Sequence, residues 1–217
     1  MKRLTYTFDN GPWPGATDKL LDFLAARGIR ATFFVVGERL KDPAARRLAE
    51  RAHAEGHWIG NHTLTHGDPL GLDGGSARMS REIGETQDLL GALAHPRKFF
   101  RPNGGGALGP HVLSVAAVDY LADHRYSVVT WNNVPQDWGE MRAGWAARAE
   151  RTLAAQDWSL LVLHDQYIAP MMASLEAFHD RLAAQSVEIV QEFPHDCLPI
   201  REGRIIGDLS GLVSRLS

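Results

Sequence analysis

The amino-acid sequence predicts a single α/β domain built on a parallel sheet. Its 217 residues suffice for one sizeable core and are few for two independent domains. Short apolar, β-branched runs alternate with amphipathic helical stretches about seven times along the chain. Regular strand-then-helix alternation argues for parallel pairing with right-handed crossovers. Seven units is close to the eight of a full barrel, and pattern alone also admits a doubly wound open sheet.

The first strand is expected over 4–8 (LTYTF), followed by a helix near 17–27 with Gly28 just past its end. The second strand is expected over 31–36 and its helix near 42–55. Asp42-Pro43 places a capping side chain ahead of a proline at the first helical position, and Gly56 closes that helix. A third strand over 57–60 leads into 67–76 (GDPLGLDGGS), a loop by composition, and a helix near 76–94. Strands over 98–100, 126–130 and 159–163 precede helices near 110–123, 142–155 and 170–185. A seventh strand is expected over 187–191, and the tail, 196–217, continues as a cover for the bottom or side of the sheet.

Hydrophobic residues make up 44% and charged residues 23%, ordinary values for a soluble globular protein. A formal net charge of −3 offers no polyanion-binding signature, so nucleic acid is not an expected partner. The single cysteine, Cys197, excludes an intramolecular disulfide and reads as an inert thiol. No apolar run approaches the ~18–20 residues needed to span a bilayer. The apolar stretch after Met1-Lys2-Arg3 ends at Asp9, short of the roughly 7–15 residues of a secretion signal. A cytoplasmic protein is therefore expected.

The residues most suited to chemistry follow strand ends: Asp9, His62, Arg101 and His164. In parallel α/β folds those ends share one face, where sites form. His62 and His66 stand four apart. On a helical turn that spacing points both imidazoles to one side, where a divalent ion could lie. Taken alone, the pair equally fits two capping or surface histidines. Asp9-Asn10 before Gly11-Pro12 equally fits an Asx-type turn leaving a strand.

Ordered segments sharpen the reading. TFDNGP (7–12), ATFFVVG (31–37), EGHWIGNHTLTH (55–66), FFRPNGG (99–105), DW (137–138) and LLVLHD (160–165) resemble the successive motifs of the NodB-homology polysaccharide deacetylases, carbohydrate esterase family 4. The match runs from about residue 4 to 165, leaving the last strand and tail at 186–217 to complete one domain over 1–217. In length the chain resembles the chitooligosaccharide deacetylase branch. The resemblance implies a distorted (β/α)7 barrel with parallel strands and metal-dependent hydrolysis of an N-acetyl amide on an amino sugar, with a small-molecule or oligosaccharide substrate. It casts Asp9 as general base, with Arg101 keeping it ionised, and His164 as general acid oriented by Asp137. It assigns a divalent metal, Zn²⁺ foremost and Co²⁺ or Ni²⁺ next, to Asn10, His62 and His66. Trp138 and Val162 would line a pocket for the acetyl methyl, and a backbone N–H near Gly104 would face the oxyanion.

Two departures stand out. Asn10 replaces the Asp that completes the family's metal site, which weakens attraction for a cation while leaving the ion more positive. Asn103-Gly104 replaces the family's Pro-Tyr, which changes one wall of the substrate groove. Two other functions therefore stay open: hydrolysis of a different small C–N amide, as in the allantoinase-like branch, and a degenerate, non-catalytic carbohydrate-binding role. Asp165 reads as a cap for the following segment. Trp13 reads as a sugar-stacking platform, and Trp131 and Trp145 as packing.

Overall fold

A computed structural model of the protein describes residues 1–72 and 75–214. The expected loop over 67–76 and the tail over 196–217 thus fall partly outside the described residues, at 73–74 and 215–217.

The sheet runs through β1 (Arg3–Asp9), β2 (Thr32–Val35), β3 (Trp58–Asn61), β4 (Phe99–Phe100), β5 (Ser127–Val128) and β6 (Trp158–His164), all parallel where they pair, in the order β6-β1-β2-β3-β4-β5. β7 (Glu188–Ile189) pairs with the foot of β1. Along β1 the alternation of a strand sorts the side chains. Leu4, Tyr6 and Phe8 pack outward with Leu20, Leu21 and Phe178 of the helical layer. Thr7 and Asp9 point to the concave side, where both meet Arg101.

The sheet is a curled half-barrel rather than a complete ring of seven units. Between β5 and β6 the described residues add no strand, only a single parallel bridge from Asn133 to Leu161 on β6. The expectation of parallel strands throughout fails at the C-terminus. β8 (Ile200–Arg201) pairs antiparallel to β5 and forms a hairpin with β9 (Arg204–Ile205). Glu202 (φ +48) and Gly203 (φ +83) make the two-residue turn, with the positive φ values that match hairpin twist. The tail covers the β5 edge and, through Leu209 and Val213, packs on the cluster under helix 115–123.

α1 (Thr17–Ala26) and α2 (Pro43–Ala54) form as expected; Asp42 accepts the Ala44 N–H at 2.8 Å, and Gly28 and Gly56 take positive φ. The helix expected near 76–94 is broken into α3 (Ser76–Met79), a π-helical turn Ser80–Glu85 and α4 (Thr86–Leu90). At that turn Gly84 lies against Tyr120, where a Cβ would come within 2.6 Å of the hydroxyl. α5 (Val115–Asp123) starts later than expected because Ser114 is its cap. α6 (Trp145–Ala154) follows the 3₁₀ turn Gly139–Gly144, and a short α7 (Asp165–Ile168) precedes α8 (Met172–Ala184). Among the described residues no helix is long and apolar enough to cross a membrane. Cys197 is buried, which pushes its thiol up to about 12, in keeping with an inert role.

Candidate active site

The strand register itself begins the site. Asp9, the last residue of β1, lies directly beside His164, the last of β6. Arg101 follows β4 and is fully buried. Its Nη1 donates to Asp9 Oδ1 at 2.8 Å and to Thr7 Oγ1 at 2.7 Å; Nε and Nη2 donate to the carbonyls of Val129 and Thr130. The guanidinium also lies over the Phe34 ring at 4.0 Å. Burial alone would raise the Asp9 pKa. The charges of Arg101, His62 and His164, with the Arg101 hydrogen bond, outweigh it and hold the carboxyl below its ordinary value. Asp9 is therefore a carboxylate at neutral pH.

His164 is held from its other side. Its Nδ1 lies 2.8 Å from Asp137 Oδ1, and its backbone N–H donates to Oδ2 at 2.8 Å. Asp137 is buried and, as a carboxylate, accepts only, so Nδ1 carries a proton. Burial pushes His164 down, but the Asp137 hydrogen bond and charge, joined by Asp9 and Asp165, leave it raised. One pocket thus holds a group biased to lose its proton beside one biased to keep it.

His62 and His66 do converge, with ring centroids 4.8 Å apart. They do not share a helical turn, as their spacing suggested. They sit on a loop after β3 in which Thr63 (φ +66) and His66 (φ +53) are left-handed. His62 Nδ1 donates to the Arg101 carbonyl at 2.7 Å, which leaves Nε2, 3.6 Å from Asp9 Oδ2, without a proton on the neutral ring. Burial pushes His62 down to about 3 and lowers His66 too, so both rings are neutral at pH 7. Among the described residues no three His, Cys, Asp or Glu side chains group as ion ligands. The third donor available is the Asn10 amide. Its Oδ1 is buried without a hydrogen-bond partner, while its backbone (φ +71) is fixed by Arg39 Nε on the carbonyl at 2.8 Å. An orphaned oxygen lining one cavity with two unprotonated imidazole nitrogens fits a divalent cation.

The cavity, about 250 Å³, is lined by these groups together with Trp138, Val162, Gly104, Trp131 and Tyr167. Trp138 stands edge-on to His164 at 4.9 Å. Gly104 has no room for a side chain, since a Cβ would lie 2.8 Å from the Trp131 ring. Among the described residues its N–H has no hydrogen-bond partner.

Three expectations need correction. Trp131 is a wall of the cavity as well as packing, with Nε1 bonded to the Gly106 carbonyl at 3.1 Å. Trp13 is no platform there; it lies outside the lining, stacked under the Arg39 guanidinium at 3.1 Å. Asp165 does not cap α7. It accepts the Thr17 hydroxyl, tying α1 to the end of β6, and burial pushes it up to about 6. Trp145 is buried packing as expected.

The sequence reading missed Thr7, Tyr167 and Glu82. Thr7 could have been found as the inward neighbour of Asp9, two residues back on β1. Tyr167, three residues after His164, sits 5.9 Å from its ring. Glu82, distant in sequence, had no local signal.

The chain is similar to known proteins over most of its length. A family model described as "Polysaccharide deacetylase" matches residues 1–129. The chain is 32% identical over 204 residues to a chitooligosaccharide deacetylase of Rhizobium leguminosarum bv. trifolii, covering 83% of this chain and 87% of the relative. It is 34% identical over 182 residues to a chitooligosaccharide deacetylase of Sinorhizobium fredii, covering 82% and 79%. Among solved structures it is similar to a family 4 acetyl xylan esterase from Clostridium thermocellum in complex with a cobalt ion, with a TM-score of 0.69, 25% identity and 88% of each chain covered.

Proposed function

The chain belongs to the polysaccharide deacetylase family, and from that premise we propose that residues 1–217 form one domain that hydrolyses the N-acetyl amide of an amino sugar, releasing acetate from a chitooligosaccharide or related glycan. The observation that carries the reading is the pairing of Asp9 and His164 across β1 and β6, one biased to the carboxylate and the other to the imidazolium.

The chemistry follows from that pairing. Asp9, held by Arg101, takes a proton from water as its oxygen attacks the acetyl carbonyl carbon. His164, oriented by Asp137, gives its proton to the amide nitrogen as the C–N bond breaks, so acetate and a free amine leave. Trp138 and Val162, which line the cavity, would enclose the methyl group, and the Gly104 N–H would donate to the oxyanion. Asn10, His62 and His66 would hold a divalent cation, Zn²⁺ by the nature of the donors and Co²⁺ or Ni²⁺ next. Such an ion supplies Lewis acidity to water and carbonyl. The alternative readings, a different small amide or a non-catalytic binding protein, gain no support from the relatives compared.

The test is acetate release from chitopentaose by the purified protein, after chelation, and after return of Zn²⁺ or Co²⁺. Activity is expected to vanish on chelation and return with metal, and Asp9→Ala is expected to lower kcat about 10²–10⁴-fold. No acetate from N-acetylated oligosaccharides with metal supplied would overturn the reading. Glycan binding that survives Asp9→Ala, with no turnover in the wild type, would establish the binding-protein alternative.

A further inference from the structure

The loop carrying His62 and His66 holds a shape its own residues resist. Thr63 is β-branched, yet sits at φ +66, and His66 follows at φ +53. Backbone of this kind persists only where its surroundings enforce it. The Gly37 and Glu38 N–H groups hold the carbonyls of Thr63 and Leu64 at 2.9 Å each, and on the other side the loop meets the π-helical turn Ser80–Glu85, where Glu82 is 6% exposed. Its Oε2 accepts the N–H of Leu64 at 3.2 Å and of Thr65 at 3.0 Å. The Thr65 hydroxyl donates to the same carboxylate, at 3.1 Å from Oε2 and 3.2 Å from Oε1. A second strap runs beside it. Asn61 Oδ1 accepts the Thr63 N–H at 3.0 Å, while Asn61 Nδ2 donates to the Ile83 carbonyl at 2.8 Å. The loop is therefore bonded to one widened turn of helix, a local geometry that recurs at functional sites.

We propose that Glu82 is a positioning residue for the two histidines: its buried carboxylate gathers the amides of the loop and keeps the rings of His62 and His66 together on the Asn10 side of the cavity. Charge-assisted bonds to backbone N–H groups suit this task, because they are stronger than neutral ones and fix the direction of the chain. Glutamine has nearly the same size but keeps only one accepting oxygen and no charge, so Glu82→Gln weakens the clamp without removing volume. The consequence for metal affinity rests on the reading of Asn10, His62 and His66 as ligands; the consequence for the rings does not.

The experiment compares wild type, Glu82→Gln, Thr65→Val and Ile83→Val. Ile83→Val perturbs the same turn in the core without touching the clamp. Metal-free protein is read by the NMR cross-peak between the His62 and His66 ring protons, and by hydrogen exchange of the Leu64 and Thr65 amides. Co²⁺ titration gives the affinity. Glu82→Gln is expected to weaken the cross-peak, speed the exchange and raise the Co²⁺ Kd about 10–100-fold. Thr65→Val, which deletes one donor and leaves the helix intact, is expected to move the same readouts less; it decides the matter should Glu82→Gln fail to fold. Ile83→Val is expected to lower Tm while cross-peak and Kd stay unchanged. An unchanged cross-peak together with unchanged amide exchange in Glu82→Gln, or in Thr65→Val if that variant alone folds, overturns the proposal, as does an equal shift in Ile83→Val. A wild type that binds no Co²⁺ counts against the metal reading, and the cross-peak then judges Glu82 alone.

Discussion

At the scale of single residues, the site works by setting proton positions. The Asp137 carboxylate is what opposes the burial of His164 most strongly. Activity requires Asp9 deprotonated and His164 protonated, so it falls at low pH as Asp9 gains its proton and at high pH as His164 loses its own. Asp137→Asn removes both the charge and the accepting oxygen, leaving burial to lower His164. The alkaline limb of the kcat/KM profile is expected to move to lower pH, with kcat down about 10²–10⁴-fold. An unmoved alkaline limb would exclude His164 as the acid. Asn10 stands where the resemblance to the family would place an Asp. Its orphaned Oδ1 is neutral, and a carboxylate there would add a charge–charge attraction of several kcal/mol before desolvation, at an effective dielectric of about 20. Asn10→Asp is expected to tighten Zn²⁺ or Co²⁺ binding at least about tenfold, read by competition titration; no gain would mean that Asn10 does not face the ion. Asp9, Arg101, His62 and His164 were legible in the sequence because strand ends converge in any parallel sheet. That the histidine pair rides on a left-handed loop was not, because spacing of four reports no φ, and the bonds that enforce it come in part from Glu82, 16 residues beyond His66.

At the scale of elements, caps were the most legible features and interruptions the least. Asp42 caps α2 through the Ala44 N–H, as Asp-Pro announced. The cap lies at the exposed start of a helix away from the cavity, so Asp42→Ala is expected to cost about 1 kcal/mol of stability and to leave deacetylation unchanged. Chemical denaturation and an acetate assay check the two halves. The π-helical turn at Ser80–Glu85 escaped the sequence because its cause is tertiary: Gly84 meets Tyr120 of α5, while Glu82 and Ile83 are bonded to the loop after β3. The C-terminal hairpin escaped for another reason. Its strands are two residues each, too short for any alternation to show, and the positive-φ turn rests on Glu202-Gly203 rather than Asn-Gly or Asp-Gly.

At the scale of the whole molecule, the site depends on how the curled sheet meets itself. β1 and β6 are joined by seven registered pairs, which fixes Asp9 beside His164. Asp137 comes from the far side of the curl, after β5, and no strand holds that stretch. Two side chains hold it: Arg148 donates from Nε to the Pro135 carbonyl at 2.7 Å and from Nη2 to the Gln136 carbonyl at 3.0 Å, and Asn133 ties it to β6. The Asn133 backbone N–H donates to Leu160 at 3.2 Å and its carbonyl accepts from Val162 at 3.0 Å. Its Nδ2 donates to the Ala149 carbonyl and to Ser159 Oγ, both at 3.0 Å. Four residues later Asp137 reaches His164. Asn133→Ala keeps the backbone bridge but releases the side-chain bonds and strands buried acceptors, which costs about 1–3 kcal/mol, a Tm loss of roughly 2–4 °C per kcal/mol in a chain this size. Asn133→Ala is further expected to loosen the His164–Asp137 contact, so that kcat falls and the alkaline limb of the pH profile shifts downward, a weaker copy of Asp137→Asn. Asp42→Ala is the control, because it destabilises without touching the seam. Were Asn133→Ala to lose stability while keeping the wild-type kcat and pH profile under conditions where both are folded, the Asn133 seam would be a matter of folding alone, and the position of Asp137 would be set by the Arg148 bonds to Pro135 and Gln136.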